Sequence, residues 1–300
     1  MLRSMYSGVS GLRNHQVRMD VVGNNIANVN TMAYKTSDVN FKDIYSQTIQ
    51  GASAPMDTRG GVNPMQVGLG MDIANIAINH EQGASQVTGK TTDLMVDGDG
   101  YFMVGTLDDD GNPDEVFYTR AGNFEIDEEG NLVSATNGYY VLGAGIDGDD
   151  DGIRQIDDDA FDDNDIENLS PINITEFLPA DEERNVMFDI AQDGQVVEIE
   201  PDGTINPLGR VGLAYFNNPG GLLRTGDNLF TTSANSGEAN FGIPGEGNLG
   251  TVMSGAIEMS NVDLSQEFTD MIITQRGFQA NSRIITTSDE LLNELVNLKR

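Results

Sequence analysis

The chain has 300 residues, a formal net charge of −32 and no cysteine. The absence of cysteine excludes disulfides and thiolate metal sites. Because a surface this acidic repels nucleic acid and anionic membranes, we expect neither as a partner. The acid belongs to the middle of the chain, since residues 97–202 hold 31 acidic and three basic side chains, whereas residues 1–50 hold three acidic and five basic ones.

The N-terminal 30 residues carry an apolar stripe at heptad spacing, which predicts a helix that pairs as a coiled coil. Alternating steps of four and three place seven residues on one seam, namely Met5, Val9, Leu12, Gln16, Met19, Gly23 and Ile26. Two of the seven are not apolar. The same region has no continuous apolar segment of the kind that secretory signals need, so we expect no such signal.

The middle of the chain reads as an antiparallel β domain. Short alternating or aromatic runs are separated by turns in which Gly130, Gly194 and Gly203 stand where a tight hairpin needs positive φ. The runs are residues 93–104, 116–120, 122–127, 131–134, 139–142, 186–190, 195–199 and 210–216. We expect the β-rich domain to span residues 71–144 and 186–260, with residues 145–185 as an acidic insert.

The acidic insert holds a candidate calcium loop. Asp147, Asp149 and Asp151 alternate before Gly152, as the first oxygen ligands of calcium loops do, and Asp158 takes the twelfth position, where a bidentate Glu is usual. No helix is predicted beside this loop. The alternative is a solvated acidic loop within an acidic surface.

Two Gly-containing segments match nucleotide-binding patterns in their letters alone. Residues 84–91 fit a loose phosphate-loop pattern but run into a predicted strand, and residues 143–148 are followed by three aspartates that would repel pyrophosphate. The two histidines, His15 and His80, have no nucleophile at a recognised spacing. We therefore expect neither a cofactor nor an enzymatic activity.

The C-terminal 40 residues carry a longer and wider stripe. Its seam is formed by Leu264, Phe268, Met271, Gln275, Phe278, Ser282, Ile285, Asp289, Leu292 and Val296, and it is widened by Ile272, Ile284, Leu291, Leu295 and Leu298. Asp263 followed by Gln266 predicts the start of this helix through a capping box. A stripe this wide exceeds what one partner helix covers, which favours assembly with further copies. The alternative is ordinary packing of two helices within one globule.

These elements predict an α+β fold, in which N- and C-terminal helices pair as a coiled coil beside a central antiparallel β-rich domain. Residues 1–70 and 261–300 would form the helical coiled-coil domain, including an extended segment that connects the first helix to the β-rich part.

Both ends of the chain resemble the signatures of the bacterial flagellar rod and hook proteins. At the N-terminus the resemblance rests on residues 7–12 (SGVSGL), residues 20–31 (DVVGNNIANVNT) and Tyr34-Lys35. At the C-terminus it rests on residues 275–290 (QRGFQANSRIITTSDE) and 295–300 (LVNLKR). Residues 82–93 and 117–122 also follow the family, whereas the acidic insert does not.

The resemblance implies a structural subunit whose paired terminal helices line a central export channel, with the β domain as the surrounding tube. It implies a homopolymer that meets neighbouring rod, hook-cap and hook–filament junction proteins. It also implies export by the flagellar type III apparatus, and a location in the basal body or hook, outside the cell after export.

Together with the two stripes, the resemblance gives a set of candidate assembly residues. They are Met5, Val9, Leu12, Met19, Asn24, Asn25, Ile26, Asn28, Leu264, Phe268, Met271, Phe278, Asn281, Ile285, Leu292 and Leu295. The asparagines would lie where the first helix ends and would bond backbone or a neighbour through their amides. A plain C-terminal cap is the alternative.

Within the family, residues 59–64 (RGGVNP), 67–70 (VGLG) and 288–300 resemble hook proteins more than distal rod proteins. The expected function is therefore that of a hook subunit, part of a curved universal joint that transmits motor torque, with a reduced outer surface. The distal rod, which is straight and rigid, is the alternative, and a calcium-binding surface protein is a third reading.

Lysine is scarce, with only Lys35, Lys42, Lys90 and Lys299 in the chain. An acidic, lysine-poor surface is tolerated in concentrated salt, because screening weakens the repulsion between like charges. We therefore hypothesise that the protein comes from a salt-rich environment.

Overall fold

The computed structural model describes residues 2–55, 59–108, 112–148, 154–156, 161, 166–174, 187–199 and 204–298. Two long helices lie at the ends of the chain and antiparallel strands lie between them, so the fold class is α+β, as predicted. The chain forms two compact units. The helical unit comprises Met1–Val29, Thr36–Asn79 and Val262–Arg300, and the β unit comprises Asn30–Lys35 and His80–Asn261.

The helical unit combines both helices with two pairs of antiparallel strands. Its elements are α1 (Leu2–Ala27), β1 (Ser37–Asp43), β2 (Ser46–Gln50), β3 (Met65–Gly68), β4 (Met71–Ile78) and α2 (Leu264–Leu298). Strand β1 pairs with β4, and β2 pairs with β3. Because β4 pairs with β1, residues 71–78 belong to the helical unit and not to the β-rich domain in which we expected them.

Local chemistry explains where the helices start and stop. The N–H of Ser265 donates to Oδ1 of Asp263 at 2.8 Å, so Asp263 caps α2 at the predicted position. At the end of α1, both the backbone N–H and the side-chain amide of Asn28 donate to the carbonyl oxygen of Asn24. These bonds satisfy groups that a helix end leaves without an intrahelical partner.

The β unit is built around one large antiparallel sheet. The strands of the unit are β5 (Ser85–Val87), β6 (Leu94–Asp97), β7 (Tyr101–Leu107), β8 (Pro113–Thr119), β9 (Phe124–Ile126), β10 (Leu132–Ser134), β11 (Tyr140–Ala144), β12 (Ile146–Gly148), β13 (Arg154–Ile156), β14 (Ser170–Pro171), β15 (Met187–Ile190), β16 (Gln195–Ile199), β17 (Ile205–Val211), β18 (Leu213–Tyr215), β19 (Leu223–Gly226), β20 (Leu229–Thr231), β21 (Asn240–Gly242), β22 (Thr251–Ser254) and β23 (Ala256–Glu258).

The main path of this sheet runs β15-β16-β17-β11-β7-β8-β20-β19. Its central strand β7 is buried on both faces, and Phe102 and Val104 contribute to the apolar core with Leu213 of β18. Gly130 and Gly194 have φ of 90° and 77°, as the predicted turns require. Gly203 and most of the acidic insert lie outside the described residues.

Candidate assembly surface

Helices α1 and α2 pack antiparallel within the helical unit, and glycines bring them close. A Cβ at position 8 would lie 3.4 Å from Cγ1 of Ile285, and a Cβ at position 11 would lie 2.6 Å from Nδ2 of Asn281. Further along, the guanidinium of Arg18 is 3.1 Å from the carboxylate of Asp270. Increasing residue numbers in one helix therefore meet decreasing numbers in the other.

The strip of α1 that contacts α2 lies one residue before the predicted seam. It contains Gly8, Gly11, His15, Arg18 and Asn25, which are small or polar. The predicted seam has Val9, Leu12, Gln16, Met19 and Ile26 at the next positions. One residue rotates the contact by roughly 100° around a helix. The two helices of one chain do pair, but a coiled-coil contact along the predicted seam is not confirmed.

A buried asparagine joins three segments of the helical unit. The side-chain amide of Asn25 donates to Oε1 of Glu267 at 3.0 Å and to the carbonyl of Ser37 at 3.0 Å, and its oxygen accepts the N–H of Ser37 at 3.1 Å. Asn25 is 1% exposed. We expected the amide of this asparagine to bond backbone or a neighbour; in the structure it bonds the backbone of Ser37 and also the side chain of Glu267, and so lies between α1, α2 and β1.

Burial of Glu267 raises the pKa of its carboxyl group above the ordinary value. The bond from Asn25 and the charge of Arg18 oppose this shift, whereas Asp38 and Asp270 add to it. The ionised carboxylate therefore occupies a place in the helix pair where its charge is poorly solvated.

His15 lies on the same strip and faces both a ring and a glycine. Its imidazole contacts the ring of Phe41 edge-on, with 5.7 Å between the centroids, and a Cβ at Gly277 would lie 2.7 Å from it. Burial and the nearby Arg18 lower the pKa of His15. The imidazole is thus held neutral against the helix backbone, in a packing role.

Large apolar side chains remain exposed on both helices after they pair. The exposed fraction of the residue is 50% for Phe268, 52% for Ile272, 51% for Leu291 and 50% for Leu295. Tyr6 of α1 is 74% exposed. An exposed apolar surface of this extent marks a site of interaction with another molecule.

The candidate assembly residues divide between the exposed faces and the margins of the helix contact. Val9, Asn24, Leu264, Phe268, Phe278 and Leu295 are exposed, Met5, Leu12, Met19, Ile26, Asn28, Met271, Asn281, Ile285 and Leu292 are half-buried, and Asn25 is buried. The exposed members are accessible in the single chain, whereas Ile285 and Asn281 lie against Gly8 and Gly11 of α1.

A second exposed apolar surface, which we did not predict from the sequence, lies on the strands of the helical unit. Tyr45 precedes β2, and Ile49 of β2, Met65 and Val67 of β3 and Ile76 of β4 are each exposed over more than two fifths of their surface. The signal available in the sequence was the apolar residues that flank the Gly- and Pro-containing segment 51–64. We include these residues with the exposed helix faces in the candidate assembly surface.

The structure gives limited information on the other predicted sites. Asp147 lies in β12, whereas Asp149, Asp151 and Asp158 lie outside the described residues. Within the described residues, no group of three or more His, Asp or Glu side chains is placed to hold a metal ion. The described helices include none that is long and apolar enough to cross a membrane. Residues 84–91 contain strand β5 and residues 143–148 contain strand β12, and neither begins a helix.

Three protein-family descriptions match this chain. "Flagella basal body rod protein" matches residues 5–35, "Flagellar hook protein FlgE/F/G D1 domain" matches residues 95–206, and "Flagellar basal body rod FlgEFG protein C-terminal" matches residues 253–298. The two terminal matches fall on the helices, and the central match falls on the β unit.

Relatives of two kinds align with the chain from end to end. The flagellar basal-body rod protein FlgG of Bacillus subtilis is 46% identical over 301 residues, with 100% of both chains covered. The flagellar hook protein FlgE of Borreliella burgdorferi is 34% identical over 447 residues, and FlgG of the same organism is 34% identical over 305 residues, again with 100% of both chains covered.

Proposed function

Because the chain belongs to the family of flagellar basal-body rod and hook proteins, we propose that it is a subunit of the flagellar axis that polymerises with copies of itself. It is a structural component of the flagellum by family. In the proposed polymer, the terminal helices line a central channel and the β units surround them. Export by the type III apparatus and contact with adjoining rod, hook-cap or junction proteins belong to the same proposal.

The exposed apolar faces of α1 and α2 carry this proposal. Burying an apolar side chain of the size of Leu or Phe stabilises an assembly by about 1.5–3 kcal/mol. Phe268, Ile272, Leu291 and Leu295 present such side chains along much of α2. We propose that these faces meet helices of neighbouring copies. The predicted heptad seam of α1, which includes Val9, would then form coiled-coil contacts between subunits.

Within the family, the distal rod is the role that the comparisons favour. The B. subtilis rod protein has almost the same aligned length as this chain and the higher identity. The alignment with the B. burgdorferi hook protein extends over 447 positions, so that hook protein has long segments that this chain of 300 residues lacks. The expectation of a hook subunit therefore becomes the second candidate, supported by the hook-like motifs at residues 59–70 and 288–300.

Electron microscopy of the purified polymer tests the two roles. Straight tubes support the rod, and curved tubes support the hook. A chain that forms no polymer under any salt condition, alone or on rod fragments, contradicts the proposed function.

A surface substitution tests the apolar faces directly. We expect Phe268→Ser combined with Leu295→Ser to abolish polymerisation while leaving the far-UV circular dichroism of the monomer unchanged, because both side chains are half exposed in the single chain. Gln279→Ser, also on an exposed part of α2, is the matched control and should polymerise normally. Normal polymerisation of the double variant would contradict a role for this face.

A further inference from the structure

A fully buried carboxylate lies at the point where the chain enters and leaves the β unit. Oε1 of Glu258, in β23, is 2.6 Å from Nζ of Lys35 and accepts the N–H of Gly83 at 2.7 Å. Oε2 is 3.5 Å from Nη1 of Arg120. The side chains of Lys35, Glu258 and Arg120 are 1%, 0% and 3% exposed.

These contacts tie together three segments that are far apart in sequence. The chain passes between the two units at the ends of residues 30–35, before residue 80 and after residue 261. Nζ of Lys35 and Nδ2 of Asn261 both donate to the carbonyl of Glu81, at 2.8 and 3.0 Å. The N–H of Ala33 donates to the carbonyl of Glu258 at 2.9 Å. Three segments next to these four crossings, residues 30–35, 81–83 and 258–261, are therefore bound to one another inside the β unit.

The side chains of Arg224 and Asn228 also hold the first of these segments. The guanidinium of Arg224 donates to the carbonyl of Lys35 and lies over the ring of Tyr34, 5.1 Å from its centroid. The side-chain amide of Asn228 donates to the carbonyl of Met32 at 2.9 Å. Residues 32–35 are thus fixed at several points of backbone and side chain.

A buried ion pair is a poor way to gain stability alone. Removing both charges from water costs about as much as their attraction returns, and well-packed apolar residues often stabilise a fold equally well. What the ionic contacts add is geometry, because each accepts one arrangement of donors around the carboxylate. Here that geometry fixes the three segments of chain that lie next to the places where it enters and leaves the β unit.

We propose that the Lys35–Glu258 pair is a positioning clasp, which fixes the exit points of the chain from the β unit so that subunits can assemble in register. This inference rests on the proposed function, since it assigns a role in polymerisation to residues outside the exposed apolar faces.

Three variants test the clasp. Lys35→Met and Glu258→Gln, taken singly, should each lower the melting temperature of the β unit, because each leaves a buried charge without its partner. The double variant removes both charges of the pair but still leaves the buried guanidinium of Arg120 without the carboxylate, so it should regain only part of that loss. We expect the double variant nevertheless to polymerise about tenfold more slowly than the wild type, and to exchange amide hydrogens faster in residues 30–35 and 258–262.

A second ion pair of the β unit supplies the control. Arg210 of β17 and Asp193, in the turn between β15 and β16, lie 3.5 Å apart and are remote in sequence from the crossings. Arg210→Met combined with Asp193→Asn should leave polymerisation and exchange at the crossings unchanged. A Lys35→Met, Glu258→Gln double variant with wild-type polymerisation and wild-type exchange would overturn the clasp.

Amide hydrogen exchange of the monomer tests the clasp independently of the proposed function. If the wild type forms no polymer, the proposed function fails. Exchange in residues 30–35 and 258–262, measured on the monomer, still decides whether the pair holds these segments together. Faster exchange in the double variant supports the clasp, and unchanged exchange overturns it.

Discussion

Asn25 and Glu267 are 242 positions apart in sequence and share a buried hydrogen bond of 3.0 Å. The bond joins the last turns of α1 to the first turn of α2. Because Asn25 also bonds both backbone groups of Ser37, it sets the direction in which the chain leaves the first helix. The end of the N-terminal helix is therefore completed only when the C-terminal helix is present.

We predict that Asn25→Asp destabilises the helical unit by about 2 kcal/mol or more at pH 7. The substitution places a second carboxylate against Glu267 and removes the donor to Ser37. Urea unfolding followed by far-UV circular dichroism measures the loss. Adding Glu267→Gln should recover much of it, because the glutamine amide can donate to the new carboxylate.

The control for this change is Asn24→Asp, one residue earlier on the exposed side of α1. It should cost less than about 1 kcal/mol, mostly through the unfavourable charge near a helix C-terminus. Equal losses for positions 24 and 25 would contradict the assigned role of Asn25.

The raised pKa of Glu267 predicts a pH dependence of definite sign. In the unfolded chain this carboxyl group loses its proton near its ordinary pKa of 4.5, whereas in the folded chain it keeps the proton to higher pH. Between those two values the folded state binds more protons, so the stability that the group contributes falls as pH rises. We expect Glu267→Gln to differ little from the wild type at pH 4 and to be more stable at pH 7.

The unfolding free energies of the wild type and of Glu267→Gln, measured from pH 4 to pH 7, check this expectation. The difference between the two proteins removes the contribution of His15, which both contain. A difference that stays constant with pH would show that Glu267 titrates as it does in the unfolded chain.

Features that depend on neighbouring residues were predictable from the sequence. Asp263 caps α2 and Gly130 and Gly194 make turns because caps and turns are decided within a few residues. The heptads correctly located two helices. They did not reveal which face meets the other helix, because periodicity identifies an apolar stripe without identifying what covers it.

The polar contact strip had a weaker signal of its own. Gly8 and Gly11 on α1 and Gly277 on α2 are small residues at helical spacing, which allow two helix backbones to approach. The clasp around Glu258 had no local signal, since Lys35 and Glu258 are 223 positions apart and each is ordinary in its own segment. Only the folded chain brings them together.

We predict opposite effects for one substitution at two glycines of α1. A Cβ at Gly23 has no heavy atom within 4 Å, so Gly23→Ala should stabilise the helix by about 0.5–1 kcal/mol through helix propensity. Gly11→Ala gains the same propensity but places its Cβ 2.6 Å from Nδ2 of Asn281 and 2.9 Å from Cγ. Overpacking of this kind costs about 1–3 kcal/mol.

Gly11→Ala should therefore be less stable than Gly23→Ala in urea unfolding, and Asn281→Ala introduced beside it should close most of the gap. If the two alanine variants were equally stable, the close approach of α1 and α2 at Gly11 would be wrong.

The charge of −32 predicts that salt stabilises the whole chain. The Debye length shrinks from about 10 Å at 0.1 M salt to about 3 Å at 1 M, which weakens repulsion between the acidic side chains of residues 97–202. We expect the melting temperature to rise steadily with KCl over this range. Neutral osmolyte at matched osmolality is the control, and a melting temperature independent of KCl would remove the hypothesis of a salt-rich source.

We expect the stability contributed by His80 to change with acid in the opposite direction to that contributed by Glu267. Burial, with Lys35, Arg224 and Arg120 nearby, lowers the pKa of His80 to about 4. The neutral ring can then accept a hydrogen bond at Nδ1 from the hydroxyl of Tyr101, with 2.7 Å between the two atoms. Burial raises the pKa of Tyr101 to about 12, so its proton stays available. The unfolded histidine takes up a proton near pH 6.5, and the folded one does not until about pH 4.

Between those values the unfolded state binds more protons, so the β unit loses stability as pH falls, by at most about 1.4 kcal/mol per pH unit from this group. His80→Gln keeps an acceptor for Tyr101 without a titrating group and should flatten this part of the pH profile. The measurement is the unfolding free energy of each protein from pH 7 to pH 4, followed by near-UV circular dichroism of the tyrosines. Parallel profiles would mean that His80 is not the acid-sensitive group, whereas a profile that diverges below pH 6.5 assigns the loss to the proton that His80 must accept among three cations.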